Sequence, residues 1–527
     1  MPPRPDSRRY LAVPALAVAL VIGFVLGAPS IGRAAPASVA GAAQSGKADE
    51  PILGKWYGKA GTEKDRVDLG FEFQRDDQGA ITAALYGEIF NFYGLLVPGG
   101  LVRQGDGTYL NPNWGIKIAL KNGEADGVLF GGTPVTLHRV ETLPSEPPMP
   151  ALNAGPGPKW RTILATPIYA RAALRDGVAY VGTSGGEFHA IDLKDGGFKW
   201  TYSAGRGVYG EALATDDAVY FVCDNGFLFK LDRATGKELW RYDLGDERAS
   251  RVLPHQLVKN SGEFDWDFHA PKPNLTDGAV YVGSGDGGMN AIDAASGKRI
   301  WRFQAQGKIR AGATIGSGDD SRLFFGTMEK SAYALDRKTG AELWHIDTQG
   351  PIAAAPSLIG DTLVIGVAAG LILGVDPATG KVRWMMQPWL SAVESSAVPD
   401  HGTLFFIGSS DMRRISYMDA KDGRVLWRTD VYGWPWATPE VAADRVFVSV
   451  AGVWPYFTGV DPVVPYPMHH LGSLSALDRK TGQILWRWQM PEWPGAWISG
   501  FVAAPAAADG VVVVGGLDGS LYAFPAN

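Results

Sequence analysis

The chain has 527 residues, 46% hydrophobic and 20% charged, which fits a globular protein and excludes a disordered one. The formal charge of −6 gives no support for a nucleic-acid binder, and a single cysteine, Cys223, excludes an intrachain disulfide. Glycine at 68 and tryptophan at 18 favour many tight turns between aromatic-rich strands.

In chain order, Arg8-Arg9 precede an apolar run, Tyr10–Leu26, and then small residues, Arg33-Ala34-Ala35-Pro36-Ala37. That order predicts a signal peptide over residues 1–35. An uncleaved N-terminal anchor is the alternative, although the run is short for a spanning helix. Ser7-Arg8-Arg9-Tyr10-Leu11 resembles a twin-arginine signal, with Ala12 in place of a second large apolar residue. No cysteine follows the run, which argues against a lipidated N-terminus. The expectation is an exported protein, periplasmic or extracellular, with no membrane span in the mature chain. Residues 36–50, rich in Ala, Gly and Ser, read as a flexible tether.

From 51 to 141 short alternating segments are separated by turns such as Gly105-Asp106-Gly107 and Lys121-Asn122-Gly123. They predict a small antiparallel β domain, barrel-like, with a filled core. Gly54-Lys55-Trp56 on its first strand and Arg139 on its last resemble the closing pair of lipocalin-like barrels. A proline-rich linker over 142–158 follows.

From 159 to 527 one signature recurs: aspartate, glycine four residues on, tryptophan four further on. The copies run Asp192–Trp200, Asp232–Trp240, Asp293–Trp301, Asp336–Trp344, Asp376–Trp384, Asp419–Trp427 and Asp478–Trp486. Aspartate accepts hydrogen bonds from the backbone just downstream, glycine supplies positive φ, and tryptophan lands on the strand leaving the turn. Before each copy lies an apolar strand–turn–strand, and that pattern occurs eight times, the last at Val511–Phe524. The eighth tryptophan stands at the start, Trp160, 40 residues before Trp200. Repeats near 40 residues with about four strands predict propeller blades, and a first strand that completes the last blade closes the ring. The fold class is therefore all-β, an eight-bladed propeller preceded by the small β domain.

The turn Asp-x-x-Thr-Gly-x-x-x-Trp after a Leu-Tyr-Ala-Leu-like strand resembles the PQQ-type repeat of quinoprotein alcohol dehydrogenase-like and BamB-like propellers. The repeat is structural, and many members bind no quinone.

Two spacings break the rhythm: Trp240–Trp301 is 61 residues and Trp427–Trp486 is 59. The insertions, about Gly245–His269 and Gly452–Gly472, fall on the propeller face opposite the Asp/Gly/Trp turns. They carry His255, His269, Trp454, His469 and His470, with Asp265, Trp266 and Asp267. Other connections on that face add Arg171, Glu211, Arg310, Glu394, Trp434, Trp436 and Trp497. Charged groups and flat aromatics around a funnel suit either a planar, multiply charged ligand or a protein partner.

Asp265-Trp266-Asp267-Phe268-His269 is similar to the Trp-Asp-x-Asp segment of PQQ-dependent alcohol dehydrogenases. That resemblance implies Asp267 as catalytic base and His269 at a metal-ligand position, with Glu211 on an inner strand as a further ligand to a divalent metal such as calcium; from their place on the funnel, Glu211, Arg310, Trp434, Trp436 and Trp497 are the candidates to hold the planar cofactor. The chain departs from that pattern: it lacks the adjacent cysteine pair, a clear asparagine ligand and an arginine beside the quinone.

Three readings follow. The first is a binding protein for an envelope protein or small molecule, with no firm cofactor and Trp434, Trp436, Trp454 and Trp497 as exposed anchors beside His469 and His470. The second is a PQQ-dependent alcohol or sugar dehydrogenase. The third is a zinc or copper site built from His255, His269, His469 and His470.

Overall fold

The computed structural model describes residues 50–61, 66–88, 92–129, 132–145, 154–245, 269–316, 318, 320–386, 392–409, 413–453, 472–491 and 498–527. These residues form two compact units, one built on a barrel and one on a propeller. Among them no helix is long and apolar enough to cross a membrane. The expected signal peptide lies outside the described residues.

Eight antiparallel strands close the barrel: β1 (Gly54–Ala60), β2 (Val67–Arg75), β3 (Ile81–Gly87), β4 (Phe92–Arg103), β5 (Tyr109–Asn111), β6 (Ile116–Lys121), β7 (Glu124–Leu129) and β8 (Thr133–Arg139). Two-residue alternation sends Phe71, Phe73, Ile81, Ala83, Leu85, Ile116 and Ile118 inward. Trp56 and Tyr109 complete a filled interior. β1 and β8 meet with Trp56 directly opposite Arg139, whose guanidinium lies 4.7 Å from the indole centre. Arg139 also donates to the carbonyls of Pro51 (2.6 Å) and Leu53 (2.9 Å), so the segment entering β1 is tied to the end of β8. The short β5 gave no sequence signal because three residues carry too little alternation to register.

The second unit has eight four-stranded blades, the seventh extended by a fifth strand, Ile498–Gly500. Ala506–Ala508, Val511–Gly515 and Ser520–Pro525 form the last blade together with Trp160–Ile163, as the repeat count requires. The Asp/Gly/Trp turns explain the packing. Asp336 Oδ1 accepts the Thr339 amide (2.9 Å) and hydroxyl (2.7 Å), and Gly340 takes φ 73°. The glycine then lies against the tryptophan of the preceding blade. A Cβ on Gly340 would come 2.7 Å from the Trp301 ring, and one on Gly236 would come 2.7 Å from Trp200.

The indole N–H of most blades reaches a carbonyl in the next turn: Trp160 to Leu193 (2.9 Å), Trp200 to Arg233 (3.0 Å), Trp301 to Arg337 (3.0 Å) and Trp384 to Ala420 (2.7 Å). Each such bond adds about 1 kcal/mol net to the burial of the ring. Trp427 keeps the glycine contact, with Gly482, but its indole N–H has no hydrogen-bond partner among the described residues.

The eighth position has no turn of its own. Gly155 fills it: a Cβ there would come 2.6 Å from the Trp486 ring, and its amide donates to the Arg487 carbonyl (2.9 Å). Part of the stretch expected as linker is thus a structural piece of the ring.

Candidate functional site

Strand direction sets the two faces. In each blade the second-to-third-strand turn and the exit to the next blade fall on one face, and the Asp/Gly/Trp turns fall on the other. Asp243 and Asn274, the strand ends flanking the first insertion, lie on the former face, as do Val453 and Ser473 around the second. The inner strands enter the sheet from that face and line the central channel.

Register defines layers along the channel. Ala173, Leu213, Asn274, Thr314, Ser357, Val398, Glu440 and Ala506 occupy one equivalent position, each opposite the third residue or its counterpart on the second strand. Two residues earlier stand Arg171, Glu211, Lys272 and Thr438. Four residues earlier stand Tyr169, Tyr209, Arg310, Glu394 and Trp436.

The deeper layers hold an ion-pair network. Arg171 bridges Glu211 Oε1 (2.9 Å) and Glu440 Oε2 (2.7 Å), and its Nε donates to the Pro505 carbonyl (3.0 Å). One guanidinium thereby joins blades 1, 2, 7 and 8. Lys272 Nζ meets the same Glu211 Oε1 at 2.7 Å, and Glu440 Oε1 accepts the Ala507 amide at 3.1 Å. Burial alone would lower the Arg171 pKa; the Glu211 and Glu440 carboxylates outweigh it and hold the value above the ordinary one. Elsewhere around the ring Asn274 Nδ2 donates to the Ala313 carbonyl (2.8 Å), Thr314 to the Pro356 carbonyl, and the Ser396 amide to Thr438 Oγ1 (3.1 Å).

Nearer the mouth the ring is two-sided. Tyr169, Tyr209, Trp436, Ile498 and Val502 form one apolar cluster, with Trp434 and Ala270 against it. Trp434 and Trp436 ring centres are 5.0 Å apart, and those of Tyr169 and Tyr209 are 5.7 Å apart. Blades 3, 4 and 6 supply polar groups. His269 Nε2 lies 3.7 Å from Glu394 Oε2, and Arg310 is buried.

The structure thus brings together several residues singled out by sequence: Arg171 with Glu211, His269 with Glu394, and Trp434 with Trp436. One expectation needs correction. Trp436 is 3% exposed and packs as a core side chain, so it is no exposed anchor; its indole is covered because the apolar wall from blades 1, 2 and 8 closes around it. Trp434 is half-buried and stays accessible. Asp267, Trp454, Trp497, His255, His469 and His470 lie outside the described residues. Among the described residues no group of three or more His, Cys, Asp or Glu side chains is placed to hold a metal ion.

Sequence reasoning missed Lys272, Glu440, Tyr169 and Tyr209. Aligning blades on the inner strand rather than on the tryptophan turn would have found them, because Tyr169/Tyr209 and Arg171/Glu211 share the 40-residue period.

Fold and channel define this class of protein: an eight-bladed propeller of PQQ-type repeats with a charged and aromatic channel. A family model described as "Outer membrane protein assembly factor BamB" matches residues 151–261, 285–394 and 368–527. The chain belongs to this family of PQQ-repeat propeller proteins. A second model, "Glucose/ethanol/alcohol dehydrogenase, beta-propeller domain", matches residues 209–320.

Among curated proteins the chain is similar to outer membrane protein assembly factor BamB of Yersinia pestis, 25% identical over 43% of this chain and 58% of that one. It is also similar to tetrathionate hydrolase of Acidithiobacillus ferrooxidans, 25% identical over 46% of this chain and 41% of that one. The chain spans about half the length of these relatives. Among solved structures, quinohemoprotein alcohol dehydrogenase from Comamonas testosteroni superposes with a TM-score of 0.51 at 17% identity, covering 70% of this chain and 76% of that one. The computationally designed Ika8 protein superposes with a TM-score of 0.52 at 16% identity, covering 70% and 100%. These two likenesses concern the fold alone.

Proposed function

We propose that this is an exported binding protein whose loop-bearing face takes an envelope protein or small molecule at the channel mouth. The observation that carries the reading is the aromatic wall: Tyr169, Tyr209 and the Trp434/Trp436 pair, from three different blades, meet in one cluster at the mouth. The buried members are held rigid while Trp434 stays half-exposed, the arrangement of an anchor in a packed surround. Family membership agrees with a partner-binding role, since the family model carries the name of an outer-membrane assembly factor.

The second reading is a PQQ-dependent alcohol or sugar dehydrogenase. It is favoured by the dehydrogenase-type family model over residues 209–320, which spans Asp267 and His269. The described channel residues fit that group poorly. Glu211 Oε1 already meets two cations, Arg171 and Lys272, so a divalent metal there would be a third cation on one oxygen. Asp267 as base, and Arg310, Trp434, Trp436 and Trp497 around a cofactor, belong to this reading. So do Glu211 and His269 as metal ligands.

Two measurements on the purified full chain separate the readings. Incubation with PQQ and calcium is expected to give no quinone absorption band. Immobilised protein is expected to retain a discrete envelope component that W434A does not retain. A quinone band together with dye-linked alcohol oxidation abolished in D267N replaces the first reading with the second. Equal retention by wild type and W434A removes the aromatic wall as the binding element.

A further inference from the structure

On the face of the Asp/Gly/Trp turns, three seams between blades are fastened by the same device. The residue after the turn aspartate reaches back to the preceding blade: Arg233 to Asp176 (2.5 Å), Arg337 to Asp277 (2.7 Å) and Arg479 to Asp400 (2.5 Å). These pairs join blades 1 and 2, blades 3 and 4, and blades 6 and 7. Between blades 2 and 3 the residue in that place is Ala294, which carries no charge.

The cation at this seam comes from a different strand. Lys230 lies on Phe227–Asp232, two residues before the turn aspartate and directly opposite Trp240. Blades 1, 3, 4 and 7 carry Ala190, Ala291, Ala334 and Ala476 at this point, each opposite its own tryptophan. Lys230 is 8% exposed. Its ammonium donates forward to the Ala294 carbonyl of blade 3 (2.9 Å) and stands 5.5 Å from the centre of the Tyr220 ring. The same carbonyl takes the indole N–H of Trp240 at 3.2 Å. Among the described residues Lys230 forms no ion pair. Burying an ammonium this way carries a desolvation cost that alanine avoids in four other blades. What the lysine adds here is a charged hydrogen bond to the next blade.

This seam needs a fastener more than its neighbours do. Glu238–Asp243 ends blade 2 and blade 3 begins only at Asn274, whereas Phe198–Ser203 of blade 1 is followed by blade 2 at Leu213. A longer connection holds its two ends together less strongly. On the channel side the same seam carries a second lysine, Lys272 of blade 3, whose Nζ meets Glu211 of blade 2 at 2.7 Å. Tyr220 and Val222 of blade 2 pack with Val280 and Val282 of blade 3 in this seam.

We infer that Lys230 and Lys272 form a two-point clamp across the seam between blades 2 and 3, fixing Asp243 and Asn274, the roots of the first insertion. Lys230 acts forward, from blade 2 onto blade 3. Lys272 acts backward, from blade 3 onto blade 2. The clamp makes up for the long connection and for the arginine that Ala294 replaces. It is independent of what the channel mouth binds.

The test is hydrogen exchange read by mass spectrometry on the purified full chain, with K230M, K272M and K230M/A294R, and with R337M as the control at the next seam. K230M is expected to speed exchange at least tenfold over residues 293–304 and to leave residues 336–347 as in wild type. R337M is expected to do the reverse. K272M is expected to speed exchange at least tenfold over residues 272–283. K230M/A294R is expected to return residues 293–304 to within about twofold of wild type. The new guanidinium then comes from the turn, as at Arg233 and Arg337, with Asp216 in the place of Asp176 and Asp277. Unchanged exchange in K230M or in K272M overturns the clamp, as does a rise spread evenly over all blades. A double variant that exchanges as fast as K230M overturns it too. Should K230M lose its folded far-ultraviolet spectrum, K230Q, which keeps an N–H donor without the charge, is read by the same criteria.

Discussion

The α-carbon of Gly155 faces the indole of Trp486. A Cβ there would stand 2.6 Å from ring atom Cε3 and 3.0 Å from the Trp488 amide nitrogen. Seven blades receive this glycine from their neighbour's Asp/Gly/Trp turn; the eighth receives it from the stretch that precedes the first strand. G155A should therefore loosen ring closure and lower stability by about 1–3 kcal/mol through overpacking. G157A is the control, because nothing lies within 4 Å of a Cβ at Gly157. Urea unfolding followed by tryptophan fluorescence compares the two; equal midpoints would show that Gly155 does not fasten the ring.

Arg171 holds two carboxylates from blades 2 and 7. R171M should destabilise the propeller by about 2–3 kcal/mol, somewhat less than a fully buried pair because the side chain is partly accessible. R171M/E440M should recover part of the loss, since the uncompensated charge on Glu440 disappears. A double-mutant cycle in urea measures the coupling. Strict additivity would mean that Arg171 and Glu440 do not depend on each other.

Asp376 shows how the turns respond to acid. Its hydrogen bond from Arg383, followed by those from Thr379, holds its carboxyl at about 2 against an ordinary 3.8. Asp232, Asp336 and Asp478 shift in the same direction, chiefly through their threonine hydroxyls. A carboxylate with a depressed folded pKa contributes stability that is complete above the unfolded pKa and vanishes as pH falls through the folded one. The stability gap between wild type and D376N should accordingly be constant at neutral pH and shrink as pH drops from about 3.8 to about 2. Guanidinium titrations at stepped pH read it out. A gap that widens on acidification would contradict the assigned sign.

Cys223 is buried among Phe221, Phe229 and Leu231, and burial pushes its thiol up to about 11. Its Sγ points at the Arg206 carbonyl, 3.1 Å away. At pH 8 the native protein should resist iodoacetamide for hours while the urea-unfolded chain is alkylated within minutes. Mass spectrometry of the two samples decides the matter, and rapid labelling of the native chain would refute the burial argument.

The ring was readable from sequence because one local chemistry repeats in every blade. Aspartate, positive-φ glycine and indole each act within nine residues, so their spacing survives in the linear string. The closing strand at Trp160 followed from counting. The channel was far less readable. Arg171 meets Glu440 across 269 residues, and no local rule links them. Trp436 looked like an anchor because the string records an aromatic in a loop but not the Tyr169 and Tyr209 wall that covers it. Gly155 sat in a proline-rich stretch whose composition spoke only of extension.

The pairing of Trp160–Ile163 with Ser520–Pro525 carries a consequence for biosynthesis. A nascent propeller leaves the ribosome with its opening strand, which begins at Trp160, waiting for a mate that begins only at Ser520. Blades can form one by one during synthesis, but the ring is not closed until Ser520–Pro525 emerges. A chain interrupted upstream of Ser520 would keep two unsatisfied sheet edges, the kind of surface that proteases and neighbouring strands capture. Quality control of this protein is therefore written into its topology: only chains translated through Pro525 can latch.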